Sequence, residues 1–319
     1  MNYGNAGRLL EDFWDAEWST IVGDFAEMRA LGANVVRVHL QFGRFMVAPD
    51  RADPAAIARL VQLVAVAERV GLYVDLTGLG CYRPADTPRW YDELDERARW
   101  AAQAAFWSAI AGASAGRAAV FCYDLANEPI SPAEPRGGGR WRSGSLFGGY
   151  DFLQYIALDP AGRSREQIAV AWIRCLTAAI RARDPDTPIT VGLLPWSRKW
   201  QHLSGFLPAA IAPELDFVSV HVYPESAQPD EALEGLRRFA VGKPVVIEET
   251  FPLRCSCAEL ARFLRDSRTV ACGWLGHYDG APIDELDQRE RDGTLTIAQA
   301  IYRAWLELFV QLGTEFTAR

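Results

Sequence analysis

The chain has 319 residues, half of them hydrophobic, with a formal net charge of −8 and a sequence pI near 5.2. That length and apolar content suit one large α/β unit, since a barrel of that class uses about 250 residues or more. The acidic balance argues against a nucleic-acid or anionic-membrane partner and fits a neutral ligand.

Residues 1–10 hold no apolar stretch preceded by basic residues, so no secretory leader is visible. No run of about 18 apolar residues could span a membrane. The sequence as it stands reads as cytoplasmic, and a secreted protein trimmed of its leader would read the same way. If the chain is an eight-stranded barrel, its first strand must lie within residues 1–10 and is short or missing, because Met1-Asn2-Tyr3-Gly4 is brief. Trp18 to Leu31 has the spacing of an amphipathic helix closed by Gly32. Ala33 to Leu40 follows as a strand, with Val35, Arg37 and His39 in one phase. An arginine set among valines is costly in a dry core, so it should reach a carboxylate.

Pro54 opens a helix that runs to Val70 and stops at Gly71; Leu72 to Thr77 is the next strand, with Gly78 to Gly80 as its exit loop. Cys81 to Asp95 is an aromatic loop stiffened by prolines and carrying Tyr82, Trp90 and Tyr91. Glu96 to Ala113 is helical and Ala118 to Tyr123 is a buried strand. Ser131 to Gly162 is the longest irregular stretch, with a helical part expected over Tyr150 to Ala157; loops of this length are usually functional or mobile. Ser164 to Arg183 is a helix, Pro188 to Leu194 a strand ending in Pro195-Trp196, and Phe206 to Ile211 a short helix. Asp216 to Val222 is a strand with His221 and Tyr223 at its end, and Pro229 to Ala240 is a helix. Lys243 to Glu249 is a strand, Ser256 to Asp266 a helix, Val270 to Leu275 a strand ending at Trp274, and Thr296 to Leu312 the last helix.

This strict alternation, without linker or repeat, predicts a parallel sheet in one (β/α)8 TIM barrel spanning residues 1–319. Polar residues at so many strand ends favour closure, because a closed barrel gathers those ends at one mouth. The six cysteines are dispersed and outline no disulfide framework; Cys255-Ser-Cys257 is too close to bridge itself and lacks the other half of a zinc site. His39, His202 and His277 have no metal-ligand spacing, so neither a metal nor an organic cofactor is expected.

The stretch Tyr123 to Pro129 carries the chemistry. A buried strand ends in Asn127-Glu128-Pro129, where proline cannot donate to a ladder. A second strand ends in Glu248-Glu249. Two strands each finishing in a carboxylate imply a pair of acids facing one another across a cleft, as glycoside hydrolysis needs. Eleven Trp and ten Tyr fit ordinary core filling or stacking platforms for sugar rings.

Four motifs occur in order: Val-Val-Arg-Val at 35–38, Asn-Glu-Pro at 127–129, Val-His-Val-Tyr-Pro at 220–224 and Lys-Pro-Val-Val-Ile-Glu-Glu at 243–249. Together they resemble glycoside hydrolase family 5, the cellulase and mannanase family of (β/α)8 barrels, over roughly Trp18 to Trp274. The resemblance implies that Glu128 is the general acid/base and Glu249 the nucleophile, with Glu248 structural. It implies that Asn127 holds the sugar 2-hydroxyl, that Arg37 and Tyr223 position the nucleophile, and that His221 lines the pocket. Trp274 would floor the subsite before the scissile bond. Trp90, Trp141 and Trp196 are candidate stacking rings from the loops. The sequence departs from the family where Thr250-Phe251 follow Glu249, and where strand three reads Asp75-Leu-Thr-Gly-Leu-Gly without a histidine.

The function so implied is a retaining β-glycosidase acting on β-linked glucan- or mannan-type sugars, with no protein partner. Transglycosylation on the same intermediate and a carbohydrate-binding pseudoenzyme are the alternatives. The loops after strands three and four would wall off one end of the cleft and favour short substrates or exo attack.

Overall fold

The computed structural model describes residues 1–4, 10–137, 141, 142, 144, 149–194, 204–226 and 228–317. Among the described residues eight parallel strands form the barrel: β1 Asn2–Tyr3, β2 Val35–Gln41, β3 Tyr73–Gly80, β4 Val120–Asn127, β5 Ile189–Leu193, β6 Val218–His221, β7 Val245–Glu249, and β8. β8 is interrupted. Gly273–Trp274 pairs with β7, whereas His277–Tyr278 pairs with β1, so one short segment closes the sheet on both sides. Leu275 N donates to Ile247 O (2.8 Å) and Gly276 O accepts from Asn2 N (2.6 Å) across the break. Strand one is therefore only two residues long, which suffices because both its neighbours bind it.

The helices α1 Trp18–Ala30, α2 Pro54–Val70, α3 Glu96–Ser114, α4 Arg165–Arg181, α5 Pro208–Ile211, α6 Pro229–Arg237, α7 Cys257–Ser267 and α8 Ile297–Thr317 follow the strands in turn. Their ends follow local chemistry. Asp53 caps α2 through Ala55 N, Pro54 sits in its first turn, and Gly71 ends it with φ 77°. Ser164 with Gln167, and Ser256 with Glu259, form capping boxes that start α4 and α7. Among the described residues no helix is long and apolar enough to cross a membrane.

Period-two alternation sorts the strand residues into two environments. Val36, Val38, Val74, Leu76, Leu125, Val191, Val220 and Ile247 belong to the large core that also takes in the helices. The opposite residues point into the barrel. At its amino end Cys122, Phe217, Val246 and Leu275 form a small apolar plug. Above that plug the interior is polar: Arg37, Asp75, Asp124, Thr190, Ser219 and Glu248 are all buried.

Two expectations from sequence change, and one element is added to them. β3 and β4 run on to Gly80 and Asn127, past the Thr77 and Tyr123 ends read from the apolar runs. The segment expected to be helical over Tyr150–Ala157 instead contributes Gln154–Tyr155, which pairs with Pro129–Ile130. The acidic segment at Asp284 and Glu285 is a helix, Ile283–Arg291, with those two side chains exposed and Leu286 alone buried in it. One buried position leaves no helical stripe to read in a sequence.

Gly78 on the outer face of β3 gives room to Trp107: a Cβ there would lie 2.2 Å from its Cζ2. Gly78→Ala should therefore lower stability by about 1–3 kcal/mol through overpacking, read as a lower urea midpoint with an unchanged m-value.

Candidate active site

β4 delivers the first acid. The β4–β5 register shifts between Asp124 and Asn127, and Glu128 N then donates to Gly192 O (2.9 Å). Glu128 itself has φ 47°, in the left-handed region that non-glycine residues rarely occupy. The turn before Pro129 thus holds a strained residue at the barrel mouth, the place where strain commonly serves function. Its side chain is 16% exposed, and its Oε1 lies 2.8 Å from His221 Nδ1.

β7 delivers the second acid. Both Glu249 oxygens are held: Oε1 accepts from Arg37 Nη1 (2.5 Å) and Oε2 accepts from the Tyr223 hydroxyl (2.7 Å). His221 Nδ1 is also 3.4 Å from Glu249 Oε2. A carboxylate oxygen of Glu128, one of Glu249 and a ring nitrogen of His221 lie within 4.8 Å of one another. Burial alone would raise the Glu249 pKa, but His221 and Arg37 outweigh it and hold that carboxyl well below the usual range. Glu249 is therefore ionised. Burial also works against a charge on His221, yet Glu249, Glu128 and Glu248 push its pKa up to about 10.

Arg37 spans the barrel axis. Besides Glu249, it donates to Asn2 Oδ1 (2.9 Å), Asp124 Oδ2 (2.8 Å) and Asn127 Oδ1 (3.1 Å). Asp124 also accepts from Gly192 N (2.7 Å). Beneath these, the Asp75, Asp124 and Glu248 carboxylates lie within 4.8 Å of one another. Burial, Glu248 and Asp124 push the Asp75 pKa well up, so Asp75 carries a proton. Burial and Glu248 push Asp124 up to about 6, against Arg37. Either set of three could be asked to hold a cation. However, Arg37, Tyr223 and His221 already occupy the oxygens of the first, and the second has its counter-charge in Arg37.

The model of the family Cellulase (glycosyl hydrolase family 5) matches residues 8–251. The chain belongs to glycosyl hydrolase family 5. It is a glycoside hydrolase. A search of curated proteins finds no match. Among solved structures, an exo-beta-1,4-mannosidase from Opitutaceae bacterium strain TAV5 is similar at 17% identity and TM-score 0.70, covering 98% of this chain and 58% of that one. This family 5 chain thus spans less than two thirds of that mannosidase. A beta-mannanase from the blue mussel Mytilus edulis gives 17% identity and TM-score 0.64, with 98% and 92% covered. A GH5_18 protein from Streptomyces cattleya, solved with Manb1-4GlcNAc, gives 18% and 0.62, with 87% and 70% covered.

Of the residues singled out in this family 5 sequence, Glu128, Glu249, Arg37, Asn127, His221 and Tyr223 meet at one mouth. Trp274, Trp141 and Trp90 do not. Trp274 faces outward onto α8, with its ring centroid 5.2 Å from Phe309 and 6.1 Å from Trp305. β8 continues to Tyr278, so Trp274 sits low in its strand, and alternation gives the inward position to Leu275. Trp141 is 2% exposed and stacks on the Arg99 guanidinium (4.3 Å), so it packs the loop and presents no sugar platform. Trp90 is half-buried against Phe42 and Tyr91. Trp196 lies outside the described residues.

Three participants went unread in the sequence. His277 Nε2 is 3.0 Å from the Tyr223 hydroxyl, and the rings stack at 6.2 Å. Because that hydroxyl gives its proton to Glu249, His277 must be the donor to it. Burial draws the His277 pKa down to about 4. Asn2 braces Arg37, and its Nδ2 donates to Glu248 O (2.8 Å). Asp124 shares the inward phase of Cys122, the one signal that could have found it.

Two outcomes are expected. His221 binds its proton more tightly folded than unfolded, so its contribution is complete below pH 6.5 and lost as pH rises toward about 10. Thermal melts of wild type should lose a few kcal/mol across that window that His221→Asn does not lose. Arg37→Met should cost about 3–5 kcal/mol in chemical denaturation at pH 7, because it strands buried carboxylates, with part recovered as pH falls and Asp124, no longer held down by Arg37, takes a proton.

Proposed function

We propose that this enzyme is a retaining β-glycosidase in which Glu128 is the general acid/base and Glu249 the nucleophile. The observation that carries this reading is that one oxygen of Glu128 and one oxygen of Glu249 come within 4.8 Å of each other at a shared mouth. Retaining enzymes hold their acids about 5–5.5 Å apart, whereas inverting ones leave about 6.5–9.5 Å for a water. The electrostatics support the same division. Glu249 is ionised and both its oxygens are aimed by Arg37 and Tyr223, as a nucleophile requires.

In the first step Glu249 bonds to the anomeric carbon as the glycosidic C–O bond breaks, and Glu128 passes a proton to the departing oxygen. In the second, water bonds to that carbon, gives its proton to Glu128, and releases Glu249. Asn127, whose Oδ1 accepts from Arg37, would take the sugar 2-hydroxyl.

The substrate we assign is a short β-linked glucan or mannan, attacked from its end. The loops after β3 and β4 are stitched into one wall: Asp151 N donates to Tyr82 O (2.8 Å), Phe152 packs on Tyr82, and Arg142 forks onto Asp92. Tyr82 in turn reaches His39 Nδ1 (2.6 Å) inside the barrel. The mannosidase and mannanases among the structural neighbours make β-mannosides the first sugars to try.

A panel of nitrophenyl β-glycosides, manno- and gluco-oligosaccharides and the matching polymers tests this. Glu249→Ala should lower kcat on the order of 10⁴-fold or more, with azide restoring part of it as a glycosyl azide. Glu128→Ala should spare the first step only for good leaving groups. Undiminished turnover by Glu249→Ala would overturn the mechanism, and internal cleavage of polymer as fast as oligosaccharide would overturn end attack.

A further inference from the structure

Glu248, one residue before the nucleophile, has no part in the steps above, yet it is fully buried in the floor of the site. Its Oε2 lies 3.4 Å from His221 Nε2 and 3.7 Å from Arg37 Nη2. Among the described residues, neither Glu248 oxygen nor His221 Nε2 completes a hydrogen bond to any other group. Two buried, unsatisfied polar groups facing each other at ion-pair distance answer one another by charge. The space for this contact is reserved by Gly192: a Cβ there would stand 2.9 Å from both Glu248 Oε2 and His221 Nε2, and 3.1 Å from Arg37 Nη2.

The other side of the imidazole faces the chemistry, since Nδ1 is 2.8 Å from Glu128 Oε1. An imidazole has two nitrogens, and whichever is fixed as a donor leaves the other to titrate. Resting on the assignment of Glu128 as acid, we propose that Glu248 is a positioning residue that pins the Nε2 proton of His221, so that the proton delivered to the leaving group is stored between His221 Nδ1 and Glu128.

The proton count closes. Before reaction one proton lies between Nδ1 and Glu128 Oε1. Bond formation by Glu249 sends it through Glu128 to the leaving oxygen, leaving a neutral Nε2–H imidazole beside an ionised Glu128. Glu249, now an ester, no longer contributes the charge that favoured the imidazolium. Attack by water then returns a proton to the pair and restores the charge on Glu249. Nε2 keeps its proton throughout because the Glu248 carboxylate persists: burial opposes that charge, but Arg37 and His221 hold its pKa low. Burial, Glu248 and Asp124 favour the neutral form of the adjacent Asp75, which keeps a further negative charge out of the floor.

The groups around His221 come from every neighbouring strand: Arg37 and His39 on β2, Asp75 on β3, Asp124 and Glu128 at β4, Glu248 and Glu249 on β7, His277 on β8, and Tyr223 beyond β6. Arg37 keeps its charge across the working pH range, and burial leaves His39 and His277 neutral at pH 7. Glu248 is the carboxylate on the Nε2 side, opposite both reacting acids.

Glu248→Gln keeps the size and an acceptor oxygen but removes the charge, so the stored proton is held less tightly. The basic limb of kcat/KM against pH, on a glycoside with a poor leaving group, should move down by about one to three pH units. Hydrolysis of a dinitrophenyl glycoside, whose departure needs no proton, should fall at least tenfold less than that of the poor leaving group. Equal losses on both substrates, or an unmoved limb in a variant that folds, would overturn the proposal and leave Glu248 merely structural. A second readout needs no variant: ring ¹⁵N shifts of His221 in wild type should show Nε2 protonated from pH 5 to 9. A ring with Nε2 as its bare nitrogen at any pH in that range also overturns it. Neither outcome touches the Glu128–Glu249 assignment, which fails separately if Glu249→Ala turns over normally.

Discussion

A guanidinium in the axis of a barrel is the constraint from which the rest of this molecule follows. Arg37 has no access to solvent, and a buried cation is tolerated only when paired and hydrogen-bonded. Its partners therefore come from several strands at once: Asn2 from β1, Asp124 and Asn127 from β4, Glu249 from β7. Each bond fixes one strand end relative to the others, which is how the two acids come to share a mouth. The cost is a wet-chemistry interior where barrels of this class usually pack branched aliphatics. The apolar core has moved outward, between strands and helices, and among the described residues a small plug of Cys122, Phe217, Val246 and Leu275 remains inside.

The electrostatics are consequently collective. Four buried carboxyls, Asp75, Asp124, Glu248 and Glu249, surround Arg37 and His221, and they cannot all be ionised without a large penalty. The protein resolves this by rank. Glu249, next to both cations, is held in its ionised form, and Asp75, buried beside Glu248 and Asp124, is pushed toward its neutral form. Reactivity at the mouth and neutrality in the floor are two outcomes of one charge distribution.

Much of this could be read from the sequence, for identifiable reasons. Apolar runs punctuated by glycine and proline reveal strands, and a carboxylate at the end of such a run has one place to go. Arg37 among valines advertised a buried pair. What sequence could not supply is absolute phase. The family resemblance implies a pocket position for Trp274, but β8 extends two residues past a break, and the parity of Leu275 turns the indole outward onto Phe309. Trp141 was a loop tryptophan without visible partner, and its partner, Arg99, lies on a helix more than 40 residues earlier. His277 was hidden by the same break in β8 that misplaced Trp274. Asp124 needed only the alternation rule applied within the most informative stretch of the chain.

That break has a mechanical side. Gly276 leaves space into which the Trp305 indole projects, since a Cβ there would fall within 1.9 Å of it. Trp305 Nε1 also donates to His277 O (2.9 Å), and Phe251 bridges the Trp305 and His277 rings. Helix α8 is thus a buttress standing directly behind the histidine that steadies Tyr223, and through it Glu249. Loosening α8 would shift His277, Tyr223 and Glu249 before it unravelled the barrel, so an outer helix sets the geometry of the mouth together with the strands that bear the two carboxylates.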